Sequence, residues 1–442
     1  MMNKSLIFVL FFCLLWFSTL SQNKFVVQNK KQSHKIKFKL INNLIVIPVE
    51  INGVTLSFLL DTGVSKPIIF NFLNVSDSLN IKNTESITLR GLGGGESVEA
   101  LKSSNNIFKI GDAVKLNQDL YAVYNSNLNL APRLGFPVHG IIGFDLFKDL
   151  VVEINYSKKF LRLTSPETYE TKKCKSCEQL NLEFYNGKPY VNVKVNLDNM
   201  DIPVKLLIDS GGSDALWLFE DEERGIKCGE KYFDDFLGHG LNGSVYGRRS
   251  KIKELSLQSF VLKNANVAFP NTENIFHATQ IKDRNGSISG DVLKRFNIIF
   301  DYRKALMVIK KNRKFKDPFS YNKSGVELAH DGIRVIQELK RNDSKTTNES
   351  QVKKGELVYS NALTISLIPA YAVVELRPGS PAELAGLKIR DVILSINGKK
   401  SYQFTLQQIM HMFYGEDGKK IKLVVDRDGE VLSFNFKLKK LM

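Results

Sequence analysis

Apolar residues along most of this chain recur at alternate positions in short runs, and turn residues separate the runs. Ile47 to Phe70 reads IPVEINGVTLSFLLDTGVSKPIIF, and Pro189 to Phe219 reads PYVNVKVNLDNMDIPVKLLIDSGGSDALWLF. Each segment is an alternating strand, a turn (Asn52-Gly53 or Asp198-Asn199), a second and more apolar strand, an Asp-(Thr/Ser)-Gly triplet and a further apolar run. Strands joined by such turns predict β-hairpins. The likeness continues downstream. Gly140 to Leu163 (GIIGFDLFKDLVVEINYSKKFLRL) and Ser287 to Ile309 (SISGDVLKRFNIIFDYRKALMVI) share an apolar pair near a glycine, a short helix-like stretch, a strand, a basic turn and a last strand. The interval from Asp61 to Asp209 nearly equals that from Gly143 to Gly290. A single long period of this kind predicts a duplicated domain rather than a solenoid.

Each half also holds a glycine cluster. Gly91, Gly93 and Gly94 lie in the first, Gly240 and Gly243 in the second. They read either as plain turns or as mobile hairpin tips that close over a cleft. The pattern predicts two all-β lobes over 35–165 and 180–313, joined by a linker that contains Cys174 and Cys177. From about Pro318 the pattern changes. Arg341 to Lys354 is polar and reads as a mobile loop. Beyond it the chain predicts a strand from Tyr371, a short helix over Ser380–Ala385 and a second strand, then a helix over Leu406–Tyr414 and a closing hairpin over Lys420–Leu438. Ser380 is the expected N-cap of the first helix, with Pro381 at its first position.

The N-terminus alters the picture of location. Lys4 precedes an apolar run from Ser5 to Leu20, with small residues Thr19 and Ser21 behind it. This reads as a signal peptide over 1–21. The alternative is an uncleaved anchor, the one case in which a membrane would be a partner. Asn23 to Ser33 is the stretch available for a short propeptide. The formal net charge of +16 raises nucleic acid as a partner. The lysines, however, alternate with apolar residues at strand spacing, as in Lys35-Ile36-Lys37-Phe38-Lys39, which describes solvated strand faces and no nucleic-acid interface. Cys174 and Cys177 form a C-x-x-C pair that can be redox-active, half a zinc site or, in an exported protein, a local disulfide. The disulfide is the reading favoured here, and Cys228 is left over. The histidines show no ligand spacing, so no metal and no cofactor are expected.

Chemistry concentrates on Asp61 and Asp209. Each ends a strongly apolar strand, where a carboxylate costs desolvation energy unless partnered. Thr62 and Ser210 can brace the turn of the opposite half, and Gly63 and Gly211 allow a tight turn that offers an N–H to the carboxylate. Two carboxylates brought together share one proton, and one can activate water while the other stabilises an oxyanion. Ser65 and Ser213 are expected to hydrogen-bond the aspartates, and Asp145 and Asp291 to cap short helices.

These motifs resemble a known family. LLDTGVS at Leu59–Ser65 and LIDSGGS at Leu207–Ser213 are similar to the two active-site signatures of pepsin-like and retropepsin-like aspartic proteases, and GIIGFDLF and SISGDVL to the segments that back them. The likeness spans both lobes. It implies a mostly β protein with two pseudo-symmetric retropepsin-like β-barrel lobes, and an endopeptidase whose Asp61/Asp209 dyad activates water. The substrate would be a peptide or an unfolded protein. Departures are Val64 and Gly212 after the triplets, Ser289 in the second backing segment and the lack of a flap tyrosine. PGSPAELAGLKIRDVILSINGK resembles a bacterial protease PDZ domain. That implies a small β-barrel with two helices over 320–442 that binds a peptide ligand. Its carboxylate-binding loop would fall near Leu363–Pro369, with Leu367 and Ile368 in the groove, although the usual G-(L/F)-G-(L/F) loop is not visible. The signal-peptide reading and the bacterial-type PDZ resemblance together imply an exported protein of a bacterial periplasm or envelope. The rivals are a catalytically inactive peptide-binding envelope scaffold of the same fold, a membrane-anchored protease and a thiol redox protein.

Overall fold

The structure is a computed structural model that describes residues 23–70, 72, 76–93, 95–124, 129–171, 173–281, 283–341 and 361–442. The apolar segment at 1–21, Gly94, and the polar stretch after Arg341 lie outside the described residues. Two compact units are present. One runs to Tyr321 and takes in Lys440–Met442, and the other is Asn322–Lys439. No described helix is long and apolar enough to cross a membrane.

The first unit is built from two hairpins of the same design. Strand Leu44–Ile51 pairs with Val54–Leu60, and Lys188–Leu197 pairs with Met200–Ile208. The connecting residues Asn52, Gly53, Asp198 and Asn199 all have positive φ, as a turn matched to strand twist requires. Alternate side chains of these strands, among them Ile47, Val49, Phe58 and Leu60 in one hairpin and Val191, Val193, Leu206 and Ile208 in the other, enter one continuous core. Each hairpin gains a parallel neighbour from far along the chain. Gly140–Ile142 lies beside Val54–Leu60, and Arg284–Ile288 beside Met200–Ile208.

A six-stranded antiparallel sheet takes three strands from each half. Its order is Cys177–Asn181, Leu306–Lys311, Phe296–Asp301, Val151–Asn155, Phe160–Thr164, Ser33–Lys37. At its centre Val152 faces Phe300 and Asn155 faces Asn297, a register symmetric about the middle of the sheet. Phe147 and Phe300 meet edge to face beneath it, ring centroids 5.3 Å apart.

The lobe limits are wider than the expected 35 and 180. Ser33–Lys37 and Cys177–Asn181 are already sheet strands. The stretch considered as a propeptide is also part of the lobe: Val26–Val27 pairs with Ala113–Val114, and Phe25 is buried, its N–H donating to Asp149 Oδ2 at 2.9 Å. Cys174 and Cys177 form a disulfide, and Cys177 opens a strand rather than ending a linker. Cys228 is free and half-buried, and burial pushes its thiol up to about 11.

The second unit opens with two long strands, Val326–Arg341 and Asn361–Leu376, paired over their length. Strands Val392–Ile396, Lys399–Lys400, Lys420–Arg427 and Glu430–Lys437 complete the sheet. Helix Pro381–Leu384 is capped by Ser380, whose side chain accepts from the Glu383 N–H, and helix Leu406–Phe413 starts at a Thr405/Gln408 capping box. Val326, Tyr371, Ile393, Ile409, Phe413 and Leu423 are among its buried core residues. One expectation needs correction. Leu363–Pro369 is strand, paired residue by residue with Ile333–Leu339, and not a loop. Leu367 and Ile368 thus stand opposite Val335 and Arg334, with Leu367 66% exposed.

Candidate active site

The strands Val54–Leu60 and Met200–Ile208 deliver Asp61 and Asp209 to the same place. Their parallel neighbours fix them there: the Asp61 N–H donates to the Ile142 carbonyl and the Asp209 N–H to the Ile288 carbonyl, both at 2.9 Å. The next residue of each turn crosses to the other lobe. Thr62 Oγ1 donates to the Ile208 carbonyl (2.6 Å) and accepts from the Ser210 N–H (3.0 Å). Ser210 Oγ donates to the Leu60 carbonyl (2.7 Å) and accepts from the Thr62 N–H (3.0 Å). Both hydroxyls are buried and fully used. This closed, reciprocal set leaves the two turns one relative position, since breaking any bond strands a buried polar group.

The glycines follow from the same closeness. The Gly63 N–H donates to Asp61 Oδ1 at 2.6 Å, and the Gly211 N–H to Asp209 Oδ1 at 3.0 Å. A Cβ on Gly211 would stand 2.3 Å from the Asp61 carboxyl carbon, so no larger residue fits between the turns. Gly143 and Gly290 back the turns: a Cβ on Gly143 would sit 1.9 Å from the Asp61 carbonyl oxygen, and the Gly290 N–H donates to the Gly212 carbonyl at 2.8 Å.

The two carboxyl groups lie side by side: a Cβ on Gly63 would stand 3.1 Å from Asp61 Oδ1 and 3.2 Å from Asp209 Oδ1. Burial, then the charge of Asp209, pushes Asp61 up to about 7, against the pull of the Gly63 N–H and Lys188. Burial also raises Asp209, opposed first by the Arg284 charge and then by the Gly211 N–H and Lys188. The arrangement is a carboxyl–carboxylate pair that holds one proton well above the ordinary carboxylate range. Among the described residues no group of three or more His, Cys, Asp or Glu side chains could hold a metal ion.

Other expected residues fall elsewhere. Ser65 Oγ donates to the Asn186 carbonyl (2.6 Å), and Ser213 is exposed and offers its carbonyl to Asn43 Nδ2 (2.7 Å). Neither hydroxyl is bonded to an aspartate. The Ser65 hydroxyl and the Ser213 carbonyl take part instead in a pair of clips that sequence reading missed. The turn at Asn42-Asn43 grips the second active-site loop, and the turn at Asn186-Gly187 grips the first. All four turn residues have positive φ, and Asn-Asn and Asn-Gly between alternating strands were the available signal. Asp145 and Asp291 cap no helix through their side chains. Asp145 is buried against Lys148 (2.6 Å) and Gln118 (2.9 Å), and Asp291 pairs with Lys294 (2.6 Å).

The glycine clusters meet each other. Strands Thr84–Leu89 and Val98–Ile110 carry the first tip, and Phe233–Gly240 and Gly243–Lys251 the second. Asn242 of the second tip receives the Gly91 N–H on its Oδ1 (2.7 Å), and its Nδ2 donates to the Glu96 carbonyl (2.7 Å). Its backbone accepts from the Gly95 N–H (2.8 Å) and donates to the Leu92 carbonyl (2.9 Å). A Cβ on Gly91, Gly93 or Gly240 would lie within 2.6 Å of the opposite tip. Gly243 instead occupies a positive φ of 114° with open space around it.

The comparisons with known proteins agree with this geometry. Residues 47–146 match the aspartyl protease family, and residues 373–427 match the PDZ domain family. The chain therefore carries an aspartyl protease domain and a C-terminal PDZ domain. The protease match covers the first Asp-Thr-Gly turn and its backing segment, and the second half repeats that construction. No curated protein matches the chain.

Proposed function

We propose that the protein is an aspartic endopeptidase in which Asp61 and Asp209 act together on water. The observation that carries this reading is the juxtaposition of the Asp61 and Asp209 carboxyl groups, clamped by the reciprocal Thr62/Ser210 hydrogen bonds. The Arg284 charge favours the ionised form of Asp209 and Lys188 acts on both carboxyls, so the shared proton is assigned to Asp61. Asp209 takes a proton from a water molecule as its oxygen bonds to the peptide carbonyl carbon. Asp61 gives its proton to the carbonyl oxygen, which forms a neutral tetrahedral diol. In the return step a diol proton goes back to Asp61, Asp209 passes its proton to the amide nitrogen, and the C–N bond breaks. The glycine-rich tips would exclude bulk water from this site.

The PDZ domain supports a role in holding peptide segments of the substrate or of a partner. The N-terminal apolar run and the Cys174–Cys177 disulfide support export to an oxidising compartment, the periplasm or envelope of a bacterium.

The test is cleavage of an unfolded protein such as β-casein from about pH 3 to pH 8, the span over which a coupled dyad titrates. Wild type should cleave in the presence of a chelator, and Asp61→Asn should lose activity by about a thousandfold or more. The alkaline limb of the pH profile should fall near the Asp61 value of about 7. A folded wild type that cuts nothing across this range sinks the reading in favour of a binding scaffold.

A further inference from the structure

The two lobes repeat a backbone but carry different side chains on the strand faces beside the dyad. In a strand every second side chain shares a face. On the first lobe the face of Asp61 carries Leu59, with Val46 opposite it, Leu44 two residues before Val46, Ile141 alongside and Ile68 beyond. These residues belong to one apolar cluster. On the second lobe the matching positions around Leu207 and Asp209 are Tyr190, Lys188, Ser287 and Trp217. Arg284 joins the same face beside Lys205. Apolar residues on one side of the dyad thus give way to a basic and hydroxyl-bearing set on the other.

The basic set lacks anions. Lys205 is paired with Glu183 at 2.8 Å, but neither Lys188 nor Arg284 forms an ion pair with any described residue. Arg284 makes one long hydrogen bond, Nε to the Gly286 carbonyl at 3.3 Å, and lies 5.2 Å from the Phe219 ring centroid. Both cations are half-buried, and each has its pKa lowered chiefly by desolvation. The Tyr190 ring is 2% exposed, and its hydroxyl has no hydrogen-bond partner among the described residues. The carboxylates whose charge acts on the two cations are those of the dyad, which holds a single unit in its working form. Two cations and an unsatisfied hydroxyl beside one shared charge form a site short of an anion.

We propose that Lys188, Arg284 and the Tyr190 hydroxyl form a specificity subsite for the side-chain carboxylate of a Glu or Asp near the scissile bond. This rests on the dyad reading for the position of the scissile bond. An acidic side chain converts the two unpaired cations into charge-assisted hydrogen bonds. A neutral side chain of the same shape leaves them buried without a partner, and sites built to bind a polar group reject such analogues strongly.

A binding comparison separates this claim from catalysis. The full-length Asp61→Asn protein is titrated with N-acetylated, C-amidated octapeptides whose central Phe-Leu pair is flanked on both sides by Glu, by Gln or by Leu. The Glu peptide should bind at least about tenfold more tightly than the Gln peptide, the worth of one charge-assisted hydrogen bond. Adding Arg284→Met or Lys188→Met should erase most of that ratio, with thermal melting confirming that each variant is folded, and Arg284→Lys should keep part of it. A free-acid version of the Leu peptide reports on a chain-terminal carboxylate. If it alone gains from the cations, the side-chain assignment is wrong. Equal affinity for the Glu and Gln peptides, including no measurable binding of either, overturns the subsite, as does a Glu preference that survives both Met variants. Cations that only tune the dyad would shift the pH profile and leave the Glu/Gln ratio at one. Failure of wild type to cleave casein would sink the dyad reading and leave this comparison intact.

Discussion

A carboxyl group that holds its proton to about pH 7 is a stability statement as well as a chemical one. Asp61 binds its proton more tightly in the folded protein than in the unfolded chain, so its contribution is complete below the ordinary value of 3.8 and is lost as pH rises to about 7. Asp61→Asn removes that titration. The variant should therefore melt above wild type at pH 7, by at least about 2 °C, with the gap closing toward pH 4. Melting curves of both proteins across that window check it, and a gap independent of pH would contradict it. Nothing in residues 59–63 alone gives the value. It comes from burial and from Asp209, which lies far away in sequence and is brought close by the fold. The residue types of the dyad and its braces were legible because two copies of one motif stood in register. The partners of Ser65, Ser213 and Asp145 were not, because Asn186, Asn43 and Gln118 are distant from them in sequence, and Asp291 bonds Lys294 of its own helix end instead of capping.

At the scale of elements, the glycine-rich tips show how a turn signal acquires a second meaning. Gly240 is required by the backbone of the opposite tip, since a Cβ there would lie 2.2 Å from the Leu92 carbonyl oxygen; Gly91 is hemmed in by the Leu241 side chain, and Gly93 by the Asn242 backbone as well as by its own positive φ. Gly240→Val should force the tips apart and strip Asn242 of its four partners. Tryptic cleavage after the exposed Arg90 should then accelerate by about tenfold for each 1.4 kcal/mol by which the tip-to-tip pairing is weakened. Unchanged cleavage would mean that the tips separate as readily in wild type. Helix starts, by contrast, were readable locally, because Ser380 and Thr405 satisfy N–H groups within their own first turn. The stretch Leu363–Pro369 was misread as a loop because its pairing partner, Ile333–Leu339, is separated from it by a long polar segment.

At the scale of the whole first unit, the six-stranded sheet ties the halves together. Val151–Asn155 has Phe160–Thr164 of its own half on one side and Phe296–Asp301 of the other half on the second. Residues 23–165 expressed alone would expose Val152, Ile154 and Phe147, which the second half covers. That fragment should lack a cooperative monomeric unfolding transition and should self-associate or aggregate. Light scattering with urea denaturation tests this, and a monomeric fragment with a sharp transition would contradict it. An unpaired central strand is the physical cause.

The sequence by itself determined the class of architecture, the duplication, the two aspartates with their bracing hydroxyls and glycines, and the limits of the C-terminal helices. All of these rest on short-range rules: strand alternation, turn chemistry and capping, or one motif written twice. The tertiary structure alone decided which turns clip which loops, that the tips interlock through Asn242, that the segment from Phe25 belongs to the lobe core, and that the two faces beside the dyad differ in charge. Those features depend on packing between segments far apart in the chain, and the closeness that buries a carboxyl group or leaves a lysine without an anion exists only after folding.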